Sequence, residues 1–251
     1  MCTAIYRDGI LARTVDRIAE GGEHFAVARE NYAGGVIRGE FGEIWIDGIN
    51  RSGLTAALLN YRKDVAAECE ECGDREKLHP GRLIPRLLQC CRDVRDAREF
   101  FGGVSLGEDM PVMYPHYIIG DASGACIVYE GGRVIDNPWG VLANAPSLRE
   151  QSEHLCAVME KGSIVWDHTS RSRFCRASWL RMHGKDHSVS GYFALLDALA
   201  VPVGMDPREN YRTVLKTVMC AADCSYSYSH EEVRTIRRVT IGECGSYPAS
   251  I

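Results

Sequence analysis

Over the first sixty positions apolar residues gather in short, strand-like runs broken by turn residues. The runs Thr3–Arg7, Ile10–Val15, Phe25–Arg29, Gly42–Asp47 and Leu54–Tyr61 predict strands. Asp8-Gly9 lies between the first two, the two-residue signal of a hairpin with a primed turn. Asp47-Gly48 marks a further turn. Residues 62–81 are polar and read as a loop. A helical period follows. Leu83, Ile84, Leu87, Leu88, Cys91, Val94 and Phe101 recur near every 3.6 positions, which predicts one amphipathic helix over Arg82–Phe101. A second strand group follows at His116–Asp121, Ala125–Glu130, Arg133–Asn137 and Gly140–Asn144, with turns at Ser123-Gly124 and Gly131-Gly132. Ser147 with Glu150 three residues on forms a capping box, opening a helix to about Lys161. Helical patterns continue over Ser172–His183 and Ser190–Val201. Strands return at Thr213–Ala221, Ser225–Ser229 and Thr235–Ile241. No repeat or linker interrupts the series. Strand groups separated by helix groups predict an α+β layered fold, one domain over 1–251, rather than a doubly wound parallel sheet.

Composition narrows the function. Of the 251 residues, 45% are hydrophobic and 25% charged, the proportions of a globular chain. Twenty-nine Lys and Arg against 34 Asp and Glu leave a net charge of −5, with no basic cluster. That argues against nucleic acid and anionic membrane as partners. The longest weakly charged stretch, Ser190–Met205, is too short to span a bilayer and contains Asp197 and Pro202. The start Met1-Cys2-Thr3-Ala4-Ile5-Tyr6-Arg7 lacks the apolar core of a secretory signal. The eleven cysteines are then expected to be reduced thiols in the cytoplasm.

Cys2 is the residue that suggests chemistry. Removal of the initiator Met exposes a residue carrying both a thiol and a free α-amine. With an amine titrating near ~8 and a thiol near ~8.5, the amine can act as base for its own sulfur. Arg13 and Asp16 form an R-x-x-D pattern on or just past the second hairpin strand, which is expected to return Arg13 beside Cys2. A guanidinium there would favour thiolate, and a carboxylate would orient the amine. Read singly, Cys2 is a small apolar strand residue and Arg13/Asp16 a solvated pair.

Several motifs occur in one order along the chain. They are Met1-Cys2-Thr3, Arg13-Thr14-Val15-Asp16, Asp47-Gly48-Ile49-Asn50-Arg51-Ser52-Gly53-Leu54 with Asn60 beyond, Gly120-Asp121-Ala122-Ser123-Gly124, Val141-Leu142-Ala143-Asn144-Ala145-Pro146 and Ser172-Arg173-Phe174. The set, with the closing strands Leu215–Ile241, resembles the choloylglycine hydrolase family of N-terminal-nucleophile hydrolases, which includes bile salt hydrolases and penicillin V acylases. The resemblance implies an αββα sandwich, two antiparallel sheets between helical layers. It implies cofactor-free hydrolysis of an amide joining an acyl group to an amine, on a small-molecule substrate. In that scheme Cys2 is the nucleophile, flanked by Arg13 and Asp16. Asn60 and Asn144 form the oxyanion hole, and Arg173 is a charge near the nucleophile. Amide N–H donors suit an oxyanion, and both Asn residues end predicted strands, where side chains project. Singly, either Asn is a turn residue and Arg173 a surface charge.

The chain also departs from the family pattern. It is shorter, with a compact segment between Asn144 and Arg173, where bile salt hydrolases carry an excursion that helps assemble a tetramer, and a brief Ala19–Glu40 stretch. Asn rather than Tyr at position 60 points to the bile salt branch, while shortened rims would open the site to penicillin V, acyl-homoserine lactones or other acyl amides. Transfer of the acyl group to an amine is a further alternative. Oligomeric state stays open, with a homo-oligomer (dimer or tetramer) compatible. A non-enzymatic reading uses Cys69, Cys72, Cys90 and Cys91, with His79, as a zinc site, but adjacent Cys90 and Cys91 on a helix diverge by about a hundred degrees.

Overall fold

The computed structural model describes residues 2–18, 23–39, 42–61, 75–107, 114–144, 146–162, 167–202, 211–231 and 233–249. The first hairpin forms for local reasons. β1 (Thr3–Arg7) and β2 (Ile10–Ile18) are joined by Asp8-Gly9, at φ +52° and +78°. Two successive left-handed residues make the primed turn that suits strand twist, and Asp and Gly enter that region at least cost. The register runs from Thr3↔Thr14 to Arg7↔Ile10.

This hairpin supplies the second and third strands of a six-stranded antiparallel sheet. β2 pairs with β13 (Tyr211–Cys220), followed by β14 (Ser225–His230) and β15 (Arg237–Thr240). On the other edge β12 (Val141–Ala143) pairs with β1. The second sheet has eight strands in the order β11 (Arg133–Asp136), β10 (Cys126–Glu130), β9 (Tyr114–Gly120), β6 (Thr55–Tyr61), β5 (Gly42–Asn50), β4 (Tyr32–Gly39), β3 (Glu23–Ala28) and β16 (Gly245–Pro248). A short parallel pair, β7 (Glu76–Leu78) and β8 (Val104–Leu106), stands apart.

Helices cover both outer faces. α1 (Pro80–Cys90) and α2 (Val94–Gly103) lie on the eight-stranded sheet, burying Leu83, Ile84, Leu87 and Leu88 with Ala56, Leu58 and Tyr117. α4 (Ser170–His183) and α5 (Val189–Leu199) lie on the six-stranded sheet, and α3 (Leu148–Lys161) packs beside α4. A second core, with Phe174 and Leu196 under the helices and Ala57 and Leu59 between the sheets, completes the layers. The expected αββα order is therefore observed.

Three expectations are corrected. Asp47-Gly48 is no turn; it sits inside β5, where Gly48 pairs with Gly34 of β4. β4 itself was not predicted, because its Gly34-Gly35 reads as a breaker. Those glycines are needed for close approach: a Cβ on Gly34 would collide with the Asp47 backbone, and one on Gly35 with the Tyr226 hydroxyl and the Asp47 carboxylate. The helix expected over Arg82–Phe101 is two helices. Asp93 interrupts it as an N-cap, accepting from Asp96 N at 2.9 Å, while Val94 N donates to Asp121 Oδ2 at 2.8 Å. The apolar period continues across the break because both helices face one sheet. The predicted capping box is present, with Ser147 and Glu150 bonding each other's backbone N–H groups at the start of α3.

The two sheets are locked where Tyr6 crosses to β9. Its ring covers Gly120, and its hydroxyl donates to Asp121 O. A Cβ at position 120 would enter that ring, which is 1% exposed and held at its far end. Gly120→Ala is therefore expected to cost about 1–3 kcal/mol by overpacking. A lowered urea midpoint at constant slope checks this; an unchanged midpoint contradicts it.

Candidate active site

Alternation along β1 sets Cys2, Ala4 and Tyr6 on one face. Tyr6 reaches the opposite sheet, so the Cys2 face looks into the space between the sheets. Cys2 itself is 8% exposed. Across from it, Thr3 pairs with Ala143, so Asn144, the residue after β12, stands opposite Cys2. Cys2 N donates to Asn144 Oδ1 at 2.9 Å. The carboxamide is thus oriented by its oxygen, and Asn144 Nδ2 has no hydrogen-bond partner among the described residues. A half-buried amide anchored by its acceptor, with both N–H groups unspent, is suited to bind a developing anion beside the sulfur.

Arg13 and Asp16 are each buried, but each is paired elsewhere. A spacing of three on a strand puts side chains on opposite faces. Arg13 pairs with Ala4 and shares the Cys2 face. It donates to Ile46 O at 2.6 Å, and its guanidinium is 3.9 Å from Asp47 Oδ2. Asp16 turns to the helical side, where it accepts from Arg173 Nη1 and, at 2.5 Å, from Thr213 Oγ1. Arg173, on α4, also donates to Thr14 Oγ1 at 2.8 Å. Arg13 and Asp16 thus belong to two buried ion pairs, Arg13–Asp47 between the sheets and Asp16–Arg173 beneath α4, rather than to one solvated pair. Arg173 is 2% exposed, not a surface charge.

Asn60 is the penultimate residue of β6, and it is exposed. Ala57 and Leu59 belong to the core between the sheets, and Ala56 and Leu58 to the α1/α2 core. Alternation therefore assigns the Asn60 side chain to the outer face, away from the Cys2 side. Its backbone points differently. Asn50 N donates to Leu54 O, so Gly48 and its partner Ala56 form the hydrogen-bonded pair of β5 and β6. The N–H groups of Leu58 and Asn60 then face β5, whose register with β6 ends at Asp47↔Ala57. Ile46 is the bulged residue of β5, and its carbonyl accepts from Arg13 instead. Pro115 stands opposite Asn60 on β9, where no N–H is required. The Asn60 side chain, expected on the Cys2 side, thus faces away from it, and what Asn60 turns toward β5 is its main-chain N–H, at an edge where the pairing has ended.

Asp47 was missed as a site residue. Its carboxylate is fully buried and accepts from Gly35 N at 2.9 Å, Tyr226 Oη at 2.8 Å and Thr217 Oγ1 at 2.7 Å. Burial, then the Asp47 charge, holds the Tyr226 phenol well above its usual range, so it remains a donor. Burial pushes the Cys175 thiol up to about 11 and the Cys91 thiol up to about 12. Cys69 and Cys72 lie outside the described residues. Cys90 is exposed and Cys91 buried at the end of α1, and among the described residues no three His, Cys, Asp or Glu converge on a metal-sized site. No described helix is long and apolar enough to cross a membrane.

Two antiparallel sheets between helical layers, with residue 2 on the inner face of one, define the N-terminal-nucleophile hydrolase fold. Residues 10–158 and 159–244 match the linear amide C–N hydrolases, choloylglycine hydrolase family, and the chain belongs to that family. A bile salt hydrolase/transferase of Lactiplantibacillus plantarum is 26% identical over 199 residues, 64% of this chain and 61% of that protein. The chain spans about three-fifths of the length of the curated relatives it matches. Among solved structures, the C2A variant of conjugated bile acid hydrolase from Clostridium perfringens superposes with a TM-score of 0.83 at 19% identity, over 100% of this chain and 97% of that one. Penicillin V acylase from Agrobacterium tumefaciens gives 0.72 at 17% identity, over 97% and 87%. At these identities the likeness is one of fold.

Proposed function

We propose that the chain is a single-domain, cofactor-free amidohydrolase in which Cys2, freed of Met1, attacks the acyl carbonyl of a small linear amide. The observation that carries this reading is the 2.9 Å bond from residue 2 nitrogen to Asn144 Oδ1, on the face that Arg13 shares. The α-amine takes the thiol proton, assisted by the Arg13 charge, and sulfur adds to the carbonyl. The oxyanion is met by Asn144 Nδ2–H and the Asn60 main-chain N–H. The Cys2 ammonium then protonates the departing amine, leaving a thioester. Water, deprotonated by the same amine, releases the acid. Arg173 and Asp16 brace β2 from behind.

Conjugated bile acids are the preferred substrate class, in keeping with the named relatives and with Asn at position 60. Penicillin V, acyl-homoserine lactones and other N-acyl amides are the alternatives. All nine described cysteines are free thiols, in keeping with a reducing cytoplasm. A second reading, acyl transfer to an amine, is favoured by the relative named a hydrolase/transferase. Glycine- and taurine-conjugated bile acids, penicillin V and acyl-homoserine lactones, assayed with and without added amines, separate these. Release of free bile acid supports the proposal, new amides support transfer, and no turnover of any acyl amide rejects both. Asn144→Ala is expected to lower kcat by about 10²–10³-fold with little change in KM, the effect of one lost oxyanion donor. An equal kcat in the two proteins removes Asn144 from the mechanism.

A further inference from the structure

Asn144 touches residue 2 but does not hold itself in place. It follows an edge strand, and its side chain has one hydrogen bond among the described residues, to the nucleophile it must face. What fixes the segment is Gln151, in the second turn of α3 and fully buried. Gln151 Oε1 accepts from Ala143 N at 2.9 Å, and Nε2 donates to Ala143 O at 3.0 Å and to Pro146 O at 2.5 Å. The carboxamide pairs with the free edge of β12 as a neighbouring strand would, on both sides of Asn144 in the chain. Its base is also fixed. The capping box closes the start of α3, and Leu148 N donates to the buried Glu130 carboxylate at 3.1 Å, which His116 Nδ1 meets at 3.2 Å.

We propose that Gln151 is a positioning residue that sets the Asn144 carboxamide for the oxyanion; the inference rests on the role given to Asn144 above. Releasing the clasp lets the donor drift, and displacement on the order of 1 Å at a reacting centre costs about 10²-fold. Gln151→Leu removes all three bonds, while Gln151→Glu keeps the shape and the acceptor but turns an oxygen on two carbonyls. Each is expected to lower kcat for a conjugated bile acid or penicillin V about 10–100-fold, with KM within about twofold.

The distinguishing readout is alkylation of Cys2 by iodoacetamide, followed by the mass of the N-terminal peptide. Sulfur displaces iodide from a saturated carbon, so no carbonyl oxyanion forms and Asn144 is not needed. The variants are expected to alkylate at the parent rate while hydrolysis falls. In an Asn144→Ala background the Gln151 substitutions are expected to add less than about twofold. Equal losses in alkylation and hydrolysis, or a full additive loss without Asn144, overturn the proposal. If Asn144→Ala lowers kcat and neither Gln151 variant does, the positioning role alone fails. If Asn144→Ala itself is without effect, the oxyanion reading fails first and takes the positioning role with it.

Discussion

Cys2→Ala is expected to abolish amide hydrolysis, a loss on the order of 10⁴–10⁶-fold, with the fold intact. The loss is large because the substitution removes the attacking atom rather than a neighbour that tunes it. Oxyanion donors and substrate binding persist, so residual turnover falls to what they sustain with water. Stability is expected to change little, since Ala keeps Cβ and loses one sulfur at a site already 8% exposed. The backbone bond to Asn144 also remains. Cys2→Ser is expected to do nearly as badly, because a hydroxyl is far less acidic than a thiol and the α-amine is a weak base for it. Conversely, Cys175→Ala is expected to leave turnover unchanged, since that thiol is buried and pushed up to about 11. A Cys2→Ala chain that still turns over acyl amides would end the account.

Asp47→Ala is expected to carry the largest stability loss, about 3–5 kcal/mol, read from the urea midpoint. The mutation strands Arg13, 1% exposed between the sheets, and deprives Gly35 N, Tyr226 Oη and Thr217 Oγ1 of their acceptor at once. Asp47→Asn is expected to lie between, because it keeps the shape and one oxygen but not the charge. The exposed Arg149–Glu153 pair on α3 is the control, and breaking it is expected to leave the midpoint where it is. Activity is expected to fall with Asp47→Asn even where the chain stays folded, since Arg13 then loses its anchor on the Cys2 face. Comparable midpoints for Asp47→Ala and the control would show that the pair is not structural.

The parts legible in the sequence were those with local causes. Asp8-Gly9 specifies its turn, Ser147 and Glu150 specify a helix start, and both appear where expected. β4 was hidden because Gly34-Gly35 looks like a break until Asp47 and Tyr226 approach it from other strands. The same non-locality turned Asp47-Gly48 into an apparent loop. The helix over Arg82–Phe101 was read as one because hydrophobic period reports the face and not the continuity; Asp93 was the available signal. Within the site, strand parity alone forbids Arg13 and Asp16 from sharing a face, so their separation was available without coordinates. The same parity rule, once the β6 register is known, turns the Asn60 side chain outward and leaves its main-chain N–H facing β5. Asp47 and Gln151 could not be assigned from sequence, since their partners lie on β4, β12, β13 and β14.

The sulfur of Cys2 as the atom that carries the acyl group is best tested by trapping the intermediate. Enzyme mixed with penicillin V or a conjugated bile acid is quenched in acid within the first turnovers, digested, and its N-terminal peptide weighed. The predicted result is a hydroxylamine-labile acyl adduct on a peptide that begins at Cys2, with its α-amine unmodified. An active enzyme whose N-terminal peptide retains Met1, or whose acyl group sits on any other residue, contradicts it.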